Sequence, residues 1–214
     1  MTKPTRRHGM IAFGIVLASL GGVFGYSEIF TKGIDRLPDR PCGGAVARDL
    51  VARALPSSRT AEERGRLVPT SKDLAFYCSV STNDSTLSGE VRGTDSSVST
   101  WRDHFAGPLA GRSVEVAAAD IRAISTPKLA TVYVPCTLPQ QKKGSAAEAY
   151  SLTAEARTIG PTRAKGDELR QVVVDFAYQL LRHAYEAGGC EEARDFPDAL
   201  PRLTEGRVVE EPVG

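Results

Sequence analysis

The sequence predicts an α+β domain, an antiparallel sheet packed against two helices, preceded by one N-terminal transmembrane or signal-anchor helix. Three observations carry this. Residues 10–26 hold no charged side chain and follow a basic start. Short segments between residues 74 and 158 alternate apolar and polar side chains, as half-buried strands do. Residues 169–184 carry one apolar stripe at helical spacing. The length of 214 residues and the apolar content of 41% suit one domain with appendages. A formal net charge of +1 argues against a general nucleic-acid binder, which needs surplus basic charge to displace counterions from phosphates.

The N-terminal element comes first. Lys3, Arg6 and Arg7 make residues 1–9 a basic cytoplasmic tag. Residues 10–26 then span roughly 25 Å as a helix, the short end of what a bilayer core requires. Glu28, Lys32, Asp35 and Arg36 close the apolar run. The segment reads as an uncleaved signal anchor. A cleaved leader would need small residues at the cut, and Gly25-Tyr26-Ser27 is a poor substitute for Ala-x-Ala. Basic residues stay inside, so everything after Tyr26 lies outside the cytoplasm. The domain is then membrane-bound, or secreted if the signal is cleaved. Gly14, Ala18 and Gly22 recur at every fourth position and offer a face for a homodimer.

Residues 27–41, broken by Pro38 and Pro41, read as a stalk, and residues 42–196 as the extracytoplasmic disulfide-bonded domain. Val46, Leu50, Val51 and Ala54 predict a first helix over 43–55, stopped by Pro56. Residues 57–70 are polar and read as a loop. Residues 74–80 and 87–91, separated by Asn83-Asp84-Ser85, read as a hairpin. Residues 98–105 fit a short helix or an irregular segment. Residues 113–116 and 120–124 alternate weakly as strands. Residues 128–136 give the clearest strand, with Val132, Tyr133 and Val134 in it and Pro135 at its end. Residues 149–158 alternate as another. Leu169, Val172, Val173, Phe176, Leu180 and Leu181 define a second helix over 167–187, ended by Gly188-Gly189. Residues 197–214 are rich in Pro and Glu and read as a disordered tail.

The four cysteines, Cys42, Cys78, Cys136 and Cys190, form no CxxC and are too widely spaced for a usual zinc site. An even number fits two disulfides in an oxidising compartment. Four cysteines allow three connectivities. An internal echo favours one of them. Residues 71–93 and 126–160 each contain Lys, Leu-Ala, an aromatic residue, a cysteine near a strand end, then a strand with Glu-x-Arg. Each half also has one helix, which motivates Cys42–Cys78 and Cys136–Cys190. A strand ending Val134-Pro135-Cys136, a further strand and a final helix ending Gly189-Cys190 resemble a group of membrane-anchored or secreted proteins of high-GC Gram-positive (actinobacterial) bacteria. The resemblance covers about residues 128–190 and implies location and disulfide style, without an activity.

Chemistry-bearing motifs are sparse. Ser125-Thr126-Pro127-Lys128 and Ser81-Thr82-Asn83 match two signatures of penicillin-binding enzymes, but in reversed order, with Pro127 inside one and no Lys-Thr-Gly after them. His183 and Glu186 could form half a metal site on the polar side of the last helix. His104 follows Asp103 in the least legible stretch. Asp167-Glu168 and Glu191-Glu192 read as the start and the sequel of a helix. No cofactor, metal or catalytic residue is assigned from these patterns. The sequence therefore points to a non-enzymatic binding or scaffold domain in the cell envelope with a protein partner. An envelope hydrolase with a dispersed site, or a small-ligand or lipid-binding domain, are the alternatives. A cleft converging on His104 or His183 would favour the first, and an apolar cavity under the last helix the second.

Overall fold

The computed structural model describes residues 32–69, 74–106, 112–127, 129–139, 141 and 150–209. The elements are α1 (Arg48–Ala54), β1 (Glu62–Pro69), β2 (Leu74–Ser81), β3 (Thr86–Thr94), α2 (Val98–Phe105), β4 (Ser113–Ala118), β5 (Ile121–Ser125), β6 (Ala130–Pro135), β7 (Ser151–Ile159), α3 (Gly166–Gly188) and β8 (Arg207–Val209). Short 3-10 turns lie at Ile34–Arg36 and Leu203–Glu205. The strands form one 8-stranded sheet in the order β1-β2-β3-β7-β6-β5-β4-β8. Every neighbouring pair is antiparallel. The fold class is α+β, as the strand and helix patterns predict. The segment over residues 10–26, with Gly14, Ala18 and Gly22, lies outside the described residues. Among the described residues no helix is long and apolar enough to cross a membrane.

Two meanders meet at the middle of the sheet. β1-β2-β3 runs inward from one edge, β4-β5-β6-β7 runs inward from the other side, where β8 forms the edge beyond β4, and β3 pairs with β7. The register places Glu90 opposite Glu155, Arg92 opposite Thr153 and Ser88 opposite Arg157. The Glu-x-Arg shared by the two halves thus meets itself across an approximate two-fold axis. The repeat extends to the strands and not to the helices. α1 precedes its strands and has 7 residues, whereas α3 follows its strands and has 23.

α3 lies across one face of the sheet and builds the core. Val172, Phe176, Ala177, Leu180 and Leu181 are buried against Phe76, Val80, Val91, Val132 and Ala154. Gly89 sets how closely the helix approaches. A Cβ there would stand 2.6 Å from Leu180 Cδ1 and 2.9 Å from the Glu155 carbonyl. Asp167 and Glu168 in the first turn suit the positive end of the helix dipole. Gly189, at φ 63, ends the helix in the left-handed conformation that glycine adopts without a Cβ penalty. α1 packs on α3 through Leu50, Val51 and Ala54, while the Ala47 amide donates to Gln179 Oε1 at 2.8 Å.

Among the described residues the opposite face is covered only in part. α2 begins at Ser97, whose hydroxyl accepts from the Thr100 amide. It seats Trp101 on Ile124 and Tyr133, and Trp101 Nε1 donates to Thr131 Oγ1 at 3.1 Å. Arg102 forks onto Glu115, with Nε and Nη2 at 2.9 and 2.7 Å from the carboxylate oxygens. Arg207 reaches Glu115 from β8 at 3.1 Å.

The cysteines are joined as Cys42–Cys78 and Cys136–Cys190, the pairing motivated by the echo. The first ties the turn before α1 to β2. The second ties the end of β6 to the end of α3. Two disulfides indicate an oxidising, extracytoplasmic location.

The structure corrects four sequence readings. Residues 32–41 are not a free stalk, because Ile34, Leu37 and Pro41 are buried and the Gly33 amide donates to the Ser58 carbonyl at 2.7 Å. The helix expected over 43–55 starts later, at Arg48, since Cys42, Gly43 and Gly44 all have positive φ and form a turn. The loop expected over 57–70 contains β1. This edge strand exposes residues on both faces and carries Glu62, Glu63, Arg64 and Arg66, so it lacks the alternation that reveals a half-buried strand. The tail expected to be disordered from residue 197 is ordered through 209. Leu200 and Leu203 are buried and β8 pairs with β4. Gln171 Oε1 accepts from the Leu203 amide at 2.8 Å, and Tyr178 Oη donates to the Pro197 carbonyl at 2.5 Å, fastening the segment to α3.

Candidate functional site

The partial cover of α2 leaves the β2-β3-β7 portion of its sheet face open among the described residues. A groove of about 440 Å³ runs there, lined by Tyr77, Ser79, Ser88, Glu90, Glu155 and Arg157, with Leu129 at one end. Strand alternation puts these side chains on the face away from α3, because Gly89, Val91, Ala154 and Ala156 between them face the helix or the core. The volume is within the range of small-ligand sites.

Glu90 and Glu155 are the centre of this groove. Directly opposed residues on antiparallel strands stand about 4.5–5.5 Å apart at Cα, and like charges in that relation are destabilising. Glu90 is answered by Arg92, whose Nη2 donates to its carboxylate at 3.1 Å. The same Arg92 lies over the Tyr77 ring, 5.7 Å from its centroid. The Glu155 carboxylate accepts no hydrogen bond from a described side chain. Burial holds its pKa above the usual carboxylate range and the charge of Glu90 adds to this, while His104, Arg157 and Arg92 pull it back. A group pushed toward neutrality by burial and a like-charged partner in a cleft is a recognised mark of a functional position.

Chemically, the groove offers two carboxylates and three hydroxyls flanked by arginines. It suits polar recognition of a group that bears positive charge or hydrogen-bond donors. Among the described residues neither Ser79 nor Ser88 hydrogen-bonds a histidine, and no group of three His, Cys, Asp or Glu side chains could hold a metal.

The sequence-nominated residues fall elsewhere. His104 lies in the last turn of α2, packs edge-on against Phe105 at 4.7 Å and is one of the groups that pull the Glu155 pKa down. His183 lies against Phe76 at 5.0 Å, and Glu186 is engaged by Arg182 at 3.6 Å, so the half metal site is not assembled. Ser125 is buried, with Oγ accepting from Arg170 Nε at 3.2 Å. Ser81 and Asn83 serve the β2–β3 hairpin, where Asn83 Oδ1 accepts from Thr60 Oγ1 at 2.6 Å. Asp167 pairs loosely with Arg170 at 3.7 Å, and Glu192 accepts from the Thr137 amide and hydroxyl. Glu90 and Glu155 were visible to sequence reading only as the repeated Glu-x-Arg. No protein-family model, curated protein or solved structure matches the chain.

Proposed function

We propose that the chain is a membrane-anchored, extracytoplasmic binding protein of the cell envelope, non-enzymatic, which engages its partner through the open half of the sheet. The observation that carries this reading is the Glu90–Glu155 pair. The fold bears the cost of two opposed carboxylates in a groove that is open among the described residues, and a cationic group of a partner would relieve it. The two disulfides and the charge-free run at residues 10–26 support the location, with the N-terminus in the cytoplasm. The partner face is then a basic or amine-bearing segment of an envelope protein. A hydrolase gains less support, since among the described residues no nucleophile in the groove is hydrogen-bonded to a base.

Proximity labelling in intact cells tests the reading. The parent chain is expected to enrich an envelope protein, and the Glu90→Arg/Glu155→Arg variant to lose it while reaching the same membrane level. Equal enrichment by both chains would remove the groove from the binding account.

A further inference from the structure

We propose that a second cleft, between the start of α3, β4 and the folded C-terminal segment, binds a phosphate group that carries a short apolar substituent. This site lies on the α3 side of the sheet and does not depend on the groove reading. The cleft holds about 540 Å³ and is lined by Arg53, Arg112, Arg170 and Arg202. Two carboxylates share the lining, Asp167 and Glu168, and both are exposed, which leaves a formal excess of two positive charges. Asp175 lies next to the cleft, where it accepts from Gln171 Nε2 at 2.8 Å and stands 3.9 Å from Arg53.

Arg170 carries the argument. Its side chain is only 17% exposed, and its nearest carboxylate, Asp167, is 3.7 Å away and 86% exposed. Its close partners are neutral. Nη2 donates to the Ser125 carbonyl at 2.6 Å and Nε to the Ser125 hydroxyl at 3.2 Å. A guanidinium withdrawn from water without a buried counter-charge is costly. Burial, the largest influence, lowers its pKa; Asp167 opposes that shift and Arg112 adds to it. Among the described residues Arg112 and Arg202 make no salt bridge. Several guanidiniums around one cavity match the oxygens of a phosphate through forked, charge-assisted hydrogen bonds.

The remaining wall is apolar. Val114, Val172 and Leu203 are buried beneath it, and Val208 is 41% exposed beside it. That surface accepts an aliphatic or aromatic substituent on the phosphate. The C-terminal segment supplies Arg202, Leu203 and Val208, so the site exists only because that segment folds back.

Calorimetric titration of the full chain in a non-ionic detergent tests the proposal, with phenyl phosphate, inorganic phosphate and dihexanoyl phosphatidylglycerol as probes and phenol as the control without phosphate. Saturable binding of at least one phosphate compound is expected, with phenyl phosphate tighter than inorganic phosphate and phenol not bound. The Arg112→Gln/Arg202→Gln variant changes two exposed side chains and should weaken binding at least tenfold at unchanged Tm. Preference for the short-chain lipid assigns the phosphate to a lipid headgroup, and preference for phenyl phosphate to a soluble ester. Absence of saturation with all three, or equal affinity in the variant, overturns the site.

Discussion

Glu155 meets Glu90 across the β3–β7 junction with both carboxylates on the face of the sheet that carries α2. Its folded pKa is raised, so the fold prefers the protonated form. The contribution to stability is fully present below the unfolded value of about 4.3 and declines as pH rises from there through the folded value. Glu155→Gln removes that decline. Thermal melts at pH 7 should show the variant more stable by about 0.2–1 kcal/mol, and the gain should vanish at pH 4. Glu115 behaves in the opposite sense. Burial is the largest influence and pushes its pKa up, but bonds and charges from Arg102 and Arg207 together outweigh it and hold the pKa below the usual range. Its contribution is present above about pH 4.3 and is lost as pH falls through the folded value. Glu115→Gln should cost about 1–3 kcal/mol at pH 7, a deficit that shrinks on acidification in denaturant titrations. Neither role was legible in the sequence, because which residues face each other depends on strand register. The disulfide partners were legible, because a cysteine stood at a comparable point in each half of the echo.

At the scale of elements, the readable ones were those buried on one face. α3 shows its stripe because one side packs on the sheet and the other meets solvent. β2 alternates strictly between buried and less buried positions. β1 and β8 were not readable. One is charged on both faces, and the other is held by β4 and the Glu115 carboxylate, which lie far from it in sequence. The seat of α3 also depends on a residue that carries no pattern of its own. Gly89→Ala places a methyl against Leu180 and the Glu155 carbonyl. Chemical denaturation should show a loss of about 1–3 kcal/mol, as for other overpacked cores. Leu180→Ala should cost less in that background than in the parent, since it frees part of the same space. Additive losses would mean that the helix is not set by this contact.

At the scale of the molecule, the disulfides close loops with sequence separations of 36 and 54 residues. In the chain-entropy model each is worth about 4 kcal/mol. Cys136→Ala/Cys190→Ala should lower unfolding stability by about 2–4 kcal/mol and release the end of α3 first, seen as faster amide exchange over residues 180–196 than over α1. The Cys42→Ala/Cys78→Ala pair should do the reverse, loosening the turn before α1. Uniform loosening by either pair would argue against two separate staples. The α+β class was legible from strand alternation and one helical stripe. The junction of the two meanders was not, since antiparallel pairing of β3 with β7 joins residues about sixty positions apart with no local turn between them.

The position of α3 also sets an order of events. In the topology proposed above the chain crosses the membrane from its N-terminus, so that β1, β2 and β3 reach the far side before residues 166–188. Cys42 and Cys78 can pair at that stage, but Phe76, Val80, Leu87 and Val91 then have no helix to lie against. The early half must wait, apolar side bare, until the last helix arrives to cover both halves together. In that order of export, completion of the core is a late step. A pause in export before residue 188 would leave a strand layer with an unshielded surface, the state of this protein most open to proteolysis and to self-association.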